Sequence, residues 1–261
     1  MREVALYDRR VSRLALFSRR AAVFALALGL LGMALNHAEK LETTAAVATF
    51  MMVVALAALA VLAAIGGIVR IWHRGHLGLA QALAGLLLGS AILAGPAYLS
   101  WETVTKPMIN DIATDWTNPP VMPAAVRDRS KFANALRHPT PEEIAAQAEA
   151  YPEIGPLVVN MPSQRVYEAA RALVRERGWR ILDEARPDER GPGRLEMVAR
   201  TPVLGFKDDV AVAVTNLGEG RTRVDMRSAS RIGRHDFGKN AERIYGFLTD
   251  LDERLRSSPL L

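Results

Sequence analysis

The densest polar constellation in the chain lies between Asp225 and Asn240 and reads Asp225-Met226-Arg227-Ser228-Ala229-Ser230-Arg231-Ile232-Gly233-Arg234-His235-Asp236-Phe237-Gly238-Lys239-Asn240. Arg227, Arg231 and Arg234 precede the start of a predicted final helix, where free backbone N–H groups attract anions. With Ser228, Ser230 and Asn240 as neutral hydrogen-bonding groups, the set fits a phosphate or carboxylate head group. The same residues admit a structural reading. Arg227 or Arg231 would pair with Asp208, Asp209 or Asp236, and Asp236 or Asn240 would cap the helix. Residues 102–261 contain 24 Lys+Arg and 24 Asp+Glu, so internal pairing is easy.

A second chemistry is nucleophilic. Ser228 and Ser230 lie near His235 in sequence, and a serine nucleophile needs a positioned base. No Gly-x-Ser-x-Gly elbow accompanies them, so a hydrolase is the alternative and a binding module the favoured reading. No metal site is expected, because this half has only His138 and His235, and Asp208 and Asp209 would point to opposite faces of a strand. Cysteine is absent, which excludes disulfides, thiolate chemistry and cysteine-bound clusters. No cofactor is expected. The net charge of +5 lies wholly in residues 1–101, which argues against a nucleic-acid-binding domain in the rest.

These residues need elements to position them. Leu157–Val159 reads as a short strand, and Ser163 caps a helix that ends at Gly178. Trp179–Ala185 is a predicted strand. In the next, Leu195, Met197 and Ala199 alternate with Glu196, Val198 and Arg200, which reads as a half-buried strand. Val210, Val212 and Val214 alternate with alanines. Leu217-Gly218-Glu219-Gly220 is a hairpin connection to a strand through Ser228. Ile244, Phe247, Leu248, Leu251 and Leu255 recur at helical spacing between Phe237 and Arg256. Strand, helix, four strands and helix imply an α+β domain with a mainly antiparallel sheet, its two helices on one face.

The first hundred residues have another character. Ala21–Ala38, Thr43–Val69 and Gly75–Trp101 carry no formal charge and are long enough to span a bilayer as three transmembrane helices. Residues 1–20 hold six Arg, and Arg70 and Arg74 lie between the second and third stretches. Lys40 stands alone between the first and second. The positive-inside rule then places the N-terminus in the cytoplasm and everything after Trp101 outside. Gly85 and Gly89 have the spacing of a close helix contact, although glycine is simply common in membrane helices, and that plain reading is slightly favoured. The spans lack Asp, Glu, Lys and Arg, which argues against a transporter or channel. The expected order is a basic tail over 1–20, a three-helix membrane region over 21–101, a Pro/Asn/Asp-rich linker with a short helix over 102–150, and the α+β domain over 151–261.

Several motifs together resemble a known family. They are Gly205-Phe206-Lys207-Asp208-Asp209-Val210, then Asp225 through Ile244 with Arg227, Ser228, Ser230, Arg231, Gly233, Arg234, Asp236, Gly238, Asn240, Ala241 and Arg243. Upstream, Ile109-Asn110-Asp111-Ile112, Thr114-Asp115, Asn118-Pro119-Pro120 and Tyr151-Pro152 add to them. The pattern, over about residues 107 to 255, is similar to the family catalogued as domain of unknown function 1499. The resemblance implies a bacterial envelope protein and supplies no activity. The expected partners are the lipid bilayer of the inner membrane and, through the Arg-rich edge, an anionic small molecule, a lipid head group or an envelope protein.

Overall fold

The computed structural model describes residues 10–189, 191–202 and 204–257 in two compact units, 1–101 and 102–261. The first unit is built on α1 (Arg13–His37), α2 (Thr43–Arg74) and the start of α3 (Leu79–Thr105). By length and composition each helix is long and apolar enough to cross a membrane. α1 starts before the expected boundary at residue 21. Ser12 accepts a hydrogen bond from the Ala15 amide, so Arg13, Arg19 and Arg20 of the expected tail are helical.

Small residues set the helix contacts. Ala15, Ala22 and Ala25 of α1 and Ala57, Ala60 and Ala64 of α2 are fully buried. A Cβ on Gly89 would lie 2.9 Å from Val61 Cγ2 and 3.1 Å from the Ala57 carbonyl oxygen. At Gly85 it would meet the backbone of Ser18 and Arg19. Both glycines therefore sit at close helix approaches, which corrects the reading of them as merely common membrane residues.

The second unit is the expected α+β domain. Its strands are β1 (Asp111–Ala113), β2 (Leu157–Val159), β3 (Arg180–Ala185), β4 (Gly193–Arg200), β5 (Lys207–Gly218) and β6 (Arg221–Ser230). They form an antiparallel sheet in the order β1-β6-β5-β4-β3, with β2 also paired to β6. The β5–β6 hairpin turns on Glu219 and Gly220, both at positive φ (53° and 71°). That geometry suits a tight hairpin turn and explains the glycine.

One sheet face packs against α6 (Ser163–Glu176) and α7 (Lys239–Ser257). Leu195, Met197, Val210, Val212, Val224 and Met226 meet Val166, Leu173, Ile244, Phe247 and Leu251 there. The other face is covered by residues of 102–150, where a linker with a short helix is expected. This stretch supplies β1, α4 (Pro123–Asp128) and the expected short helix, α5 (Pro141–Ala150). Met122 and Ala125 pack on Ala211, with Leu136 and Leu182 beside them. Glu196 and Val198 are consequently buried as well, so β4 is covered on both faces rather than half-buried. A three-residue strand and a six-residue helix are too short to show a hydrophobic period, and for that reason this cover is not visible in the pattern.

Candidate functional site

The polar constellation divides between the two faces of the sheet, because neighbouring strand residues point opposite ways. On the face toward α7, Asp208 accepts a 2.5 Å hydrogen bond from Arg243 Nη2. Arg243 Nη1 donates to Ser228 Oγ at 2.8 Å and to Asn240 Oδ1 at 2.6 Å. Ser228 donates to Asn240 Oδ1, and Asn240 Nδ2 reaches Ser230 Oγ and the Asn110 carbonyl. Ser228 and Asn240 are fully buried. This cluster ties the end of β6 to the first turn of α7.

On the opposite face, Arg231 donates to both oxygens of Asp209, and its Nη2 also reaches Asp128 Oδ2 at 2.7 Å. Arg129 Nε reaches the same Asp209 at 2.5 Å. Arg129 also donates to the Asn134 and Ala229 carbonyls, and Asn134 donates to the Ser230 and Gly233 carbonyls. Burial works against the charge on Arg231, but its bonds to Asp209 and Asp128 outweigh that and hold its pKa above the usual value. Arg227 forms a two-pronged pair with Asp111 at 3.0 and 2.7 Å and lies 5.2 Å from the Trp116 ring centroid. Burial raises the Asp111 carboxyl even though Arg227 faces it. These pairs fasten the 111–137 segment onto the sheet.

The remaining candidates divide likewise. Asp236 accepts from the Gly238 and Asn240 amides and so caps α7, while burial lifts its carboxyl above the ordinary range. His235 Nδ1 accepts from the Phe237 amide at 2.8 Å, which leaves the Nε2 hydrogen to face the Lys106 carbonyl at 3.2 Å. Both ring nitrogens therefore engage the main chain, and the structure pairs His235 with neither Ser228 nor Ser230. Of the three candidate arginines, only Arg234 is exposed.

Arg129, Asp128, Asp111 and Arg243 belong to these networks and, like the buried Glu196, were not among the candidate site residues. Asp111 and Arg243 lie within the family-like motifs, the one signal available for them. Glu196 is fully buried on β4. Its Oε2 accepts from the Ala124 and Ala125 amides at 2.7 and 3.2 Å, and its Oε1 lies 3.4 Å from Arg194 Nε.

The domain also presents an open groove of about 410 Å³ between α7 and the segment before β2. Ile154, Pro156, Leu157, Tyr245 and Leu248 form the apolar part of its lining, and Glu153, Asp252 and Glu253 share it. Arg256 lines it too but pairs with Asp252.

Residues 111–251 match the family described as "Protein of unknown function (DUF1499)". No curated protein matches the chain. Among solved structures, the crystal structure of CalU16 from Micromonospora echinospora matches at 16% identity over 39% of this chain and 76% of that one, with a TM-score of 0.24. A likeness of that size carries no argument about fold or function.

Proposed function

The chain belongs to this family of unknown function, and we propose that it is a membrane-anchored binding module of the bacterial envelope rather than an enzyme. α1–α3 hold it in the inner membrane, with the N-terminus cytoplasmic and the α+β domain periplasmic. The arginine asymmetry supports that orientation: six Arg in residues 1–20 with Arg70 and Arg74 on one side, Lys40 alone on the other. A reporter active only in the cytoplasm, fused after Leu261, should be silent, and activity there would overturn the orientation.

One observation carries binding over catalysis. The polar residues that looked most like a site are committed to one another inside the fold. Ser228 is buried between Asn240 and Arg243, and His235, the imidazole nearest to it in sequence, is held by main-chain groups. A hydroxyl without a base in reach is a weak nucleophile. The surface assigned to binding is instead the groove beside α7. Its mixed lining of apolar side chains and the acids Glu153 and Glu253 suits a segment of an envelope protein that carries both apolar and basic residues.

A fluorophosphonate probe on the purified full chain tests the distinction. No labelling is expected. Stoichiometric labelling that disappears in Ser228→Ala or Ser230→Ala would establish a serine hydrolase and overturn the reading.

A further inference from the structure

The segment that covers the second sheet face has an outer side that the ion-pair networks leave out. Met122, Ala124 and Ala125 point inward and are buried. Val121, Val126 and Phe132 point outward and are 62%, 59% and 64% exposed. Arg127 and Lys131 are exposed between them, and Lys131 Nζ lies 5.0 Å from the Phe132 ring centroid. Neither cation has an ion pair among the described residues. Asp128, the acid in this stretch, is already held by Arg180 and Arg231. Three exposed apolar side chains and two unpaired cations thus fall within residues 121–132, with no free acid among them.

We propose that this patch docks on the anionic lipid surface of the same bilayer that α1–α3 cross. Lone exposed apolar residues need no explanation, but apolar groups interleaved with unpaired cations have the composition of a membrane-surface element. Apolar side chains enter the boundary between head groups and acyl chains, and the cations meet lipid phosphates. Two cations near an anionic surface shift the bound-to-free ratio by about thirtyfold. As a free peptide the patch would bind weakly. Here the anchor makes docking intramolecular, so a weak surface suffices. Docking would fix how the domain presents its groove to partners.

The inference rests on α1–α3 spanning the bilayer, and the test reads that separately. The chain has no cysteine, so single-cysteine variants of the full chain label cleanly. Val126→Cys, Phe132→Cys, Met52→Cys in α2 and Glu253→Cys in α7 are spin-labelled and reconstituted into vesicles. One set of vesicles contains phosphatidylglycerol and the other is pure phosphatidylcholine. Collision with a water-soluble nickel reagent is compared with collision with oxygen. Position 52 should be shielded from nickel in both lipids, and position 253 open in both. Positions 126 and 132 should be shielded in phosphatidylglycerol only, with the bound-to-free ratio changing about thirtyfold between the lipids. High salt, or Arg127→Glu with Lys131→Glu, should open them again. If 126 and 132 stay as open as 253 in phosphatidylglycerol while 52 is shielded, the docking proposal is overturned and the anchor stands. Equal shielding in both lipids overturns it too, because a protein contact would then cover the patch. An open position 52 overturns the anchor itself.

Discussion

Arg231 and Asp209 meet through three hydrogen bonds: Nε lies 3.1 Å from each carboxylate oxygen and Nη2 lies 2.6 Å from Oδ1. Asp209 is fully buried and also takes Arg129, so one carboxylate holds two guanidiniums. Its neighbour Asp208 is buried on the other face and holds Arg243 alone. Removing one member of a buried pair strands the other charge and costs about 3–5 kcal/mol. Asp209→Asn should therefore destabilise the domain by about that much. Asp208→Asn should cost less, because Arg243 keeps Ser228 and Asn240. Thermal unfolding of the full chain in detergent measures both. Equal and negligible shifts would sink the assignment.

How much of this was legible follows from the kind of signal each residue gives. Val210, Val212 and Val214 on β5 and Ile244 to Leu255 on α7 show clear periods, and each packs in the core as its spacing implies. The opposite directions of Asp208 and Asp209 follow from strand geometry alone. Their partners do not. Arg243 is 35 positions from Asp208, and Arg129 is 80 from Asp209 in a stretch of turns and short elements. Both aspartates are buried and paired with guanidiniums, because the 111–137 segment roofs the second face. Nothing in the alternation of β4 separates a strand covered on both sides from one with a wet face when the inward residue is a glutamate.

That glutamate supplies the second prediction. Glu196 Oε2 receives the first two amides of α4 after Pro123. Glu196→Ala strands both donors and leaves a cavity, at a cost of roughly 3 kcal/mol. Glu196→Gln keeps an acceptor oxygen and should recover most of that loss. Hydrogen exchange at residues 122–128 distinguishes the two variants. Equal exchange in both would show that the carboxylate does not hold α4.

The third prediction concerns the membrane helices. Gly89 faces the Ala57 carbonyl and Val61, so Gly89→Leu should force α3 from α2 and lower the melting temperature in detergent, by roughly 1–3 kcal/mol of stability. Gly95, beside which a Cβ would meet nothing within 4 Å, should tolerate Ala with little change. Equal behaviour of the two would mean that the glycine contact does not matter.

The last prediction is a pH dependence with two opposing signs. The Arg137 guanidinium and the Thr140 amide hold the Glu143 carboxyl below its ordinary 4.5. A carboxyl lowered on folding contributes stability that is full above its unfolded pKa and is lost as pH falls below it. Asp236 behaves oppositely. Burial raises it above 3.8 despite the Gly238 and Asn240 amides, so the folded state holds that proton more tightly. Its contribution is greatest in acid and declines as pH rises through the interval above 3.8. Glu143→Gln can keep the α5 cap, since glutamine also serves in a capping box, while removing the carboxylate charge that pairs with Arg137. Wild type should therefore melt above Glu143→Gln at neutral pH, and the gap should close as the pH drops below about 4. The gap between wild type and Asp236→Asn should instead narrow on the way up from acid. Melting curves of the full chain in one detergent, from about pH 3 to 7, give both slopes, and two flat differences would refute both assignments.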